Sequence, residues 1–305
     1  MPSDAAVRAL VEKEYGFSVT RAELVRSFVN DVYRVHTRGR LYALKVYGVG
    51  RYTADEVRWE QQLTRHLANS GLPVPADVAR RGGDAVGVLE APEGSRPYAL
   101  VEWVPGTKPQ PPYTDALYRE VGGTLARLHE AADQFHSSYP RHSVRGGEEV
   151  DELSDVLDTD SSRQRLVQRT GAEAQRQLSR LSAQGLHWGI RHGDPTLDNL
   201  HLDGSGVHFY DFDLAGPGWQ VADLTGALST DFADTFLAGY TAVRQLAPVE
   251  LEALPWLRIM EILEHLYFHL IGKPALQGTS TLSEGWVDQG FESLAAAAGR
   301  LELNP

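Results

Sequence analysis

The 305-residue sequence contains no cysteine, which excludes disulfides, thiolate nucleophiles and thiolate metal sites. It also lacks any run near the roughly 18 uninterrupted apolar residues that a membrane helix needs. Met1 to Leu10 shows no basic segment followed by an apolar one, so no signal peptide is expected. No Lys/Arg cluster of the kind that holds nucleic acid is present. Lysine is scarce, standing only at 13, 45, 108 and 273, so a lysine inside an apolar run stands out. What remains is ordinary soluble composition, 42% hydrophobic and 23% charged. A cytoplasmic location is expected, with neither nucleic acid nor membrane as partner. The formal charge of −12 favours solubility and would attract a cationic substrate.

The chain divides by pattern. Asp4 to Tyr15 reads as an amphipathic helix. Val19 to Val25, Tyr33 to Thr37 and Leu41 to Tyr47 are rich in Val, Tyr and Leu and separated by polar turns, as in a hairpin sheet. Thr53 caps a helix with apolar positions at Val57, Leu63 and Leu67 that ends at Ser70-Gly71. Leu72-Pro-Val-Pro75 must be extended, because each proline disfavours helix before it. Ala85 to Glu90 and Tyr98 to Val104 give two further strands, joined by a turn-rich segment from Ala91 to Pro97. Gly106 to Pro112 is a Pro-rich linker.

Beyond the linker the pattern is helical: Ala116 to Ala132, Ser162 to Gln184, Val221 to Leu228, Asp231 to Leu246, Val249 to Ile271 and Asp288 to Leu301. Tyr139 to Asp160 is polar and acidic and reads as a mobile loop or short helical insertion. The expected fold is α+β and bilobal. Residues 1–104 form a small antiparallel sheet with one inserted helix, and residues 105–305 a larger, mainly helical part.

The densest signal lies in Ile190 to Leu214, where short strands at 200–202 and 207–210 flank the turn Asp203-Gly-Ser-Gly. Asp194 follows a glycine and precedes a proline, in a rigid irregular turn. Asn199 opens the first strand and Asp211 ends the second. A strand–turn–strand unit brings its two ends together, so Asp194, Asn199 and Asp211 gather in one polar cluster. Phosphoryl transfer needs such a set: an aspartate for the acceptor hydroxyl proton, and hard oxygen ligands for Mg²⁺. Singly, Asp194 reads equally well as a turn aspartate and Asp211 as a cap or strand-end residue.

His192-Gly193-Asp194 with Asn199, followed by Asp211-Phe212-Asp213, resembles the catalytic loop and metal motif of aminoglycoside phosphotransferases and choline kinases. It parallels the H-R-D…N and D-F-G elements of protein kinases, with glycine in place of arginine. The resemblance spans about residues 17 to 270 and implies a bilobal protein-kinase-like fold. It implies Asp194 as catalytic base, Asn199 and Asp211 as Mg²⁺ ligands, and His192 as a brace for the loop. Lys45, in Tyr42-Ala-Leu-Lys-Val-Tyr47, resembles the lysine that holds the nucleotide phosphates; an outward-facing strand lysine is the plain alternative. Its expected partner is Glu60, with Glu56 one turn earlier as the other candidate.

No G-x-G-x-x-G covers the phosphates. Ser27-Phe-Val-Asn-Asp-Val-Tyr33 stands in its place and resembles a shorter nucleotide-positioning loop. Ser27 and Asn30 are its candidate phosphate contacts, or simply shape a hairpin turn. Tyr98 to Gly106 resembles the strand and hinge that hold the base of ATP, or of GTP, through the backbone of Glu102 and Val104. Asp223 matches an aspartate that tethers the catalytic loop, and also reads as a helix cap. Residues 255–270, with Trp256, Glu261, Glu264, His265, Tyr267, Phe268 and His269, resemble acceptor-pocket helices or an aromatic core.

The activity implied is transfer of the γ-phosphate to a hydroxyl of a small molecule such as an aminoglycoside-like antibiotic, a homoserine-like metabolite or a sugar. A Ser/Thr kinase for a protein or ribosomal peptide is the alternative acceptor class. A nucleotide-binding pseudokinase scaffold is disfavoured because Lys45, Asp194, Asn199 and Asp211 are all present. A two-metal hydrolase is disfavoured because the histidines lack the spacing.

Overall fold

A computed structural model of the chain describes residues 1–142 and 148–303. The expectation of a loop over Tyr139 to Asp160 lies partly outside these residues. Helix α1 (Asp4–Tyr15) starts where Ser3 Oγ accepts from the Ala6 amide at 3.3 Å, and ends at left-handed Gly16. Strands β1 (Val19–Ser27), β2 (Asp31–Thr37) and β3 (Leu41–Val46) follow as an antiparallel meander. Helix α2 (Ala54–Asn69) carries the expected Thr53 cap, completed as a capping box by Glu56. Strands β4 (Val86–Ala91) and β5 (Gly94–Glu102) complete a five-stranded antiparallel sheet ordered β1-β2-β3-β5-β4.

The sheet has two different faces. Leu44 and Val46 are fully buried with Val7 and Val11 of α1. Strand side chains alternate, so Lys45 between them turns to the opposite face, toward α2. From α2, Val57 packs with Tyr47 and Val86 under the sheet, while Leu63 and Leu67 join the core of the helical region.

The helical region contains α3 (Asp115–Ala132), α4 (Glu148–Val156), α5 (Ser161–Ala183), α6 (Ala233–Thr241), α7 (Pro248–Tyr267), α8 (Lys273–Gln277) and α9 (Trp286–Arg300). It also holds two small ribbons. In one, β6 (Trp188–Arg191) pairs with β9 (Gly216–Trp219); in the other, β7 (Leu200–Asp203) pairs with β8 (Gly206–Phe209). The fold is α+β and bilobal, with the antiparallel sheet amino-terminal and the helices carboxy-terminal. No helix among the described residues is long and apolar enough to cross a membrane.

Several local expectations differ from the structure. β5 begins at Gly94, because the turn after β4 is tight and Pro97 fits within the strand pairing opposite Val88. Residues 221–228 wind as short 3₁₀ turns rather than an α-helix. There the Asp223 carboxylate accepts from amides outside the segment, and the Thr225 hydroxyl donates back to the Ala222 carbonyl. The helix expected from Asp231 covers only 233–241, and the one expected to Ile271 changes after Tyr267 into a wide π turn, Phe268–Gly272. The β6–β9 ribbon had no expectation, since its residues are Gly- and Trp-rich rather than alternating.

Candidate functional site

Lys45 leaves the sheet toward a set of carboxylates. Its Nζ lies 2.6 Å from Asp211 Oδ1, 3.5 Å from Asp213 Oδ2 and 3.9 Å from Glu60 Oε1. Burial opposes the ammonium charge, but the three carboxylates outweigh it and hold Lys45 well above its ordinary value. Of the two glutamates on α2, Glu60 approaches the lysine. Glu56 is turned to the Thr53 cap and to His142 Nδ1, 2.5 Å away.

The 192–199 loop is fixed from beneath. His192 is fully buried, with its ring 4.5 Å from that of Phe212 and 5.5 Å from that of Phe209. Burial lowers its pKa. Asp223 accepts from the amides of His192 at 2.6 Å and Gly193 at 3.0 Å, and lies 3.1 Å from His129 Nε2. Burial disfavours its charge, yet His129, with Arg191 and His192, holds its carboxyl below the usual range. Gly193 takes φ +87°, and a Cβ there would meet the Leu214 carbonyl oxygen at 2.2 Å. Only glycine meets both conditions.

The loop holds Asp194 with its Oδ2 accepting from Asn199 Nδ2 at 2.6 Å. Burial pushes the Asp194 carboxyl up to about 6, and nearby Asp211 and Asp213 act in the same direction, while the Asn199 bond opposes them. The β7–β8 ribbon closes the cluster. Leu200 pairs with Phe209, and the Tyr210 amide donates to the Asn199 carbonyl at 2.9 Å. Asn199 and Asp211 therefore emerge side by side from the ends of the ribbon. Asp211 is left-handed, with φ +65°.

Among the described residues no three His, Asp or Glu side chains converge as a self-sufficient metal cage. Asn199 and Asp211 supply two oxygen donors, which suits an ion that completes its shell with phosphate and water. Three carboxylates gather at Lys45, and Arg26 adds a second cation 3.6 Å from Asp211; negative charge still exceeds positive, so the donor set fits a divalent cation.

Two cavities meet at this loop. One, of about 450 Å³, lies between the sheet and the helical region, walled by Lys45, Glu60, Glu102, Val104, Asp211 and Phe212 among others. The other, of about 370 Å³, lies within the helical region and is walled by Asp194, Thr196, Trp219 and the α7 residues Met260, Glu261 and Glu264. Consecutive residues Leu197 and Asp198 belong to different cavities, so the loop is their shared wall.

Ser27 and Asn30 are placed differently from the cavity-lining residues. Ser27 Oγ donates to Asp31 at 2.6 Å. Asn30 is buried; its Nδ2 donates to Asp213 at 2.7 Å and its Oδ1 accepts from the Gly48 amide at 3.0 Å. It therefore ties the β1–β2 turn to the loop after β8. At the hinge, the Glu102 amide donates to the Ala76 carbonyl, the Glu102 side chain pairs with Arg40, and the Val104 carbonyl faces His201 Nδ1 at 3.1 Å. Asp213 and Arg141 had no assigned role in the sequence. Arg141 donates from Nε to the Ala215 carbonyl at 2.7 Å and from a terminal nitrogen to the Asp213 carbonyl. The Asp-x-Asp spacing was a signal for Asp213; Arg141 sits in a segment with no periodicity and carried none.

The family model described as phosphotransferase enzyme family, APH, matches residues 21–257. An uncharacterised protein of Deinococcus radiodurans is 33% identical, covering 95% of this chain and 88% of its own. A homoserine kinase of Methylorubrum populi is 29% identical, covering 83% and 81%. Among solved structures, an amicoumacin kinase in complex with AMP-PNP, Ca²⁺ and Ami superposes with a TM-score of 0.81 at 20% identity, over 98% of this chain and 94% of that one.

Proposed function

This chain belongs to the phosphotransferase enzyme family and is a kinase of hydroxyl groups, and from that premise we propose how its residues divide the reaction. The observation that carries the reading is the pair of cavities sharing the Asp194–Asn199 loop. The larger cavity is read as the ATP site, with residues 1–104 as the nucleotide-binding lobe and 105–305 as the catalytic and acceptor lobe. GTP is the alternative nucleotide. The base lies against the hinge backbone of Glu102 and Val104, and the phosphates lie beneath the Ser27–Asn30 turn and beside Lys45. Glu60 holds Lys45 in place. Asn30 acts by fixing the turn to Asp213 rather than through a free amide.

Asn199 and Asp211 would hold Mg²⁺, which neutralises phosphate charge when bound. The Asp194 carboxylate faces the smaller cavity and takes the acceptor hydroxyl proton as the oxygen attacks the γ-phosphorus. Asp223 and His192 position that loop and touch no reacting atom.

The acceptor is a small molecule, in the class of an aminoglycoside-like antibiotic, a homoserine-like metabolite or a sugar. Homoserine and amicoumacin kinases among the relatives support this, and no observation favours a protein or peptide acceptor. Screening hydroxyl compounds for ADP release, with Asp194→Ala as control, tests the reading. Acceptor-dependent release by the wild-type chain and none by the variant is expected. Equal turnover by the variant defeats the assignment.

A further inference from the structure

We infer that the smaller cavity selects a compact alcohol carrying both an ammonium and an anionic group, with Glu264 receiving the first and Arg191 the second; this rests on reading that cavity as the acceptor site.

The inference starts from helix periodicity. Leu257, Met260, Glu261, Glu264 and His265 recur at three- and four-residue spacing, so α7 turns one face to the cavity. Most of that face is apolar or already satisfied. Glu261 is neutralised by Arg258, whose guanidinium donates to it at 2.7 Å. Glu264 is half-buried and has no hydrogen bond or ion-pair partner among the described residues. Burial raises its carboxyl pKa, Arg191 draws it down and Glu261 pushes it up again. A carboxylate that is half-buried and unpartnered is partly desolvated, and an incoming ammonium would pair with it.

Arg191 is the complement. It ends β6, immediately before the 192–194 motif, and lies flat across Gly218, where any side chain would crowd its Nε at 3.1 Å. Its guanidinium likewise has no ion pair or hydrogen bond among the described residues, although it is near enough to Glu264 to influence that carboxyl. Two opposite charges therefore wall one cavity without forming a pair within 4.0 Å. Arg191 also helps hold Asp223 ionised, yet no carboxylate pairs with it within 4.0 Å among the described residues. An acceptor with a cation and an anion on one short skeleton satisfies both. The volume of about 370 Å³ is near the lower end of the roughly 300–1,000 Å³ usual for ligand pockets, which limits the acceptor to a compact molecule.

The test uses four primary alcohols of equal carbon length: a neutral diol, an amino alcohol, a hydroxy acid and an amino hydroxy acid. Turnover with ATP and Mg²⁺ is followed by ADP release, and binding by calorimetry in the presence of AMP-PNP. The amino hydroxy acid is expected to lead each singly charged member by about tenfold or more in kcat/KM, the order a charged hydrogen bond contributes. Glu264→Gln should shrink its lead over the hydroxy acid, and Arg191→Met its lead over the amino alcohol. Each is a ratio within one variant, so general damage to the fold leaves it unmoved.

Equal use of the neutral diol, unmoved ratios, or no binding by any of the four overturns the inference. Equal use of the diol leaves the phosphotransfer reading standing. Selective binding of the amino hydroxy acid without transfer supports the inference and overturns that reading instead.

Discussion

Lys45 Nζ lies 2.6 Å from Asp211 Oδ1 across 166 residues of chain, joining β3 of the sheet to the loop that leaves β8. Both residues wall the cavity read as the nucleotide site, and Asp213 and Glu60 flank the same ammonium. The strand therefore delivers its one positive charge to where phosphate oxygens and a metal ligand must meet.

Replacing Lys45 by alanine removes the ammonium that the three carboxylates share and leaves Asp211 to the exposed Arg26, 3.6 Å away. Losing one partner of a buried ionic cluster costs on the order of 3 kcal/mol. A fall in Tm is expected together with an ATP KM raised about tenfold or more. Arginine should not restore either, because its planar fork does not fit a point-charge position. Thermal denaturation and AMP-PNP titration check this; an unchanged nucleotide affinity would count against the role of Lys45.

Asp194 gives a pH prediction. Its carboxyl is raised to about 6, chiefly by burial, and it accepts a proton only when ionised. Hence kcat/KM should rise about tenfold per pH unit below 6 and level off above it. For stability the sign is opposite to that of a salt-bridged aspartate. The folded state binds the proton more tightly than the unfolded state, so stability declines as pH rises from about 4 to about 6. Asp194→Asn should therefore abolish transfer yet raise Tm at pH 7.5, by the equivalent of about 2 kcal/mol, with little change at pH 4. A flat activity profile from pH 5 to 8 would remove Asp194 from the proton transfer.

Gly193 supplies a stereochemical prediction. Alanine there meets both a left-handed backbone at φ +87° and the Leu214 carbonyl oxygen at 2.2 Å. Loss of about 3 kcal/mol or more and of nearly all activity is expected. Gly185, with φ +91° but open space around it, is the control; alanine there should cost only about 1 kcal/mol. Comparable Tm losses in the two variants would show that backbone strain alone, and not the contact with Leu214, decides.

Most of the fold was legible because its signals are local. Periodicity placed α1, α2, α3, α5 and the hairpin strands, and the Thr53 cap was read directly from its sequence. The cluster of Asp194, Asn199 and Asp211 was legible because a short hairpin joins its members. Less could be said of side chains that act across long separations. Asn30 finds Asp213, 183 residues on, and nothing in the spacing foretells that partner; Ser27 finds Asp31 only four residues away, across a turn whose shape decides the contact. Glu60 was separable from Glu56 only weakly, because both lie on one face of α2. The 3₁₀ turns near Asp223 differ from the expected helix because the competing hydrogen bonds come from residues 30 and 31 positions earlier.

Arg141 carries the last prediction. It lies in an extended segment that crosses α2: Ser137 Oγ donates to Gln62 at 2.8 Å, and the Arg58 guanidinium sits 5.8 Å from the Tyr139 ring. The Arg141 guanidinium then lies 4.8 Å from the Tyr52 ring centroid and 5.3 Å from that of Trp59, and bonds the carbonyls of Asp213 and Ala215. One side chain thus fixes the backbone just past Asp211 to the helix that presents Glu60. It touches neither cavity wall, so its removal should act through the placement of Asp211. Arg141→Ala is expected to lower kcat about tenfold with the acceptor KM unchanged, and to speed amide exchange over residues 211–215. Arg141→Lys keeps a charge over the rings but offers no fork for two carbonyls, so it should recover stability more than kcat. If alanine raises the acceptor KM and leaves exchange at 211–215 untouched, Arg141 does not position this loop.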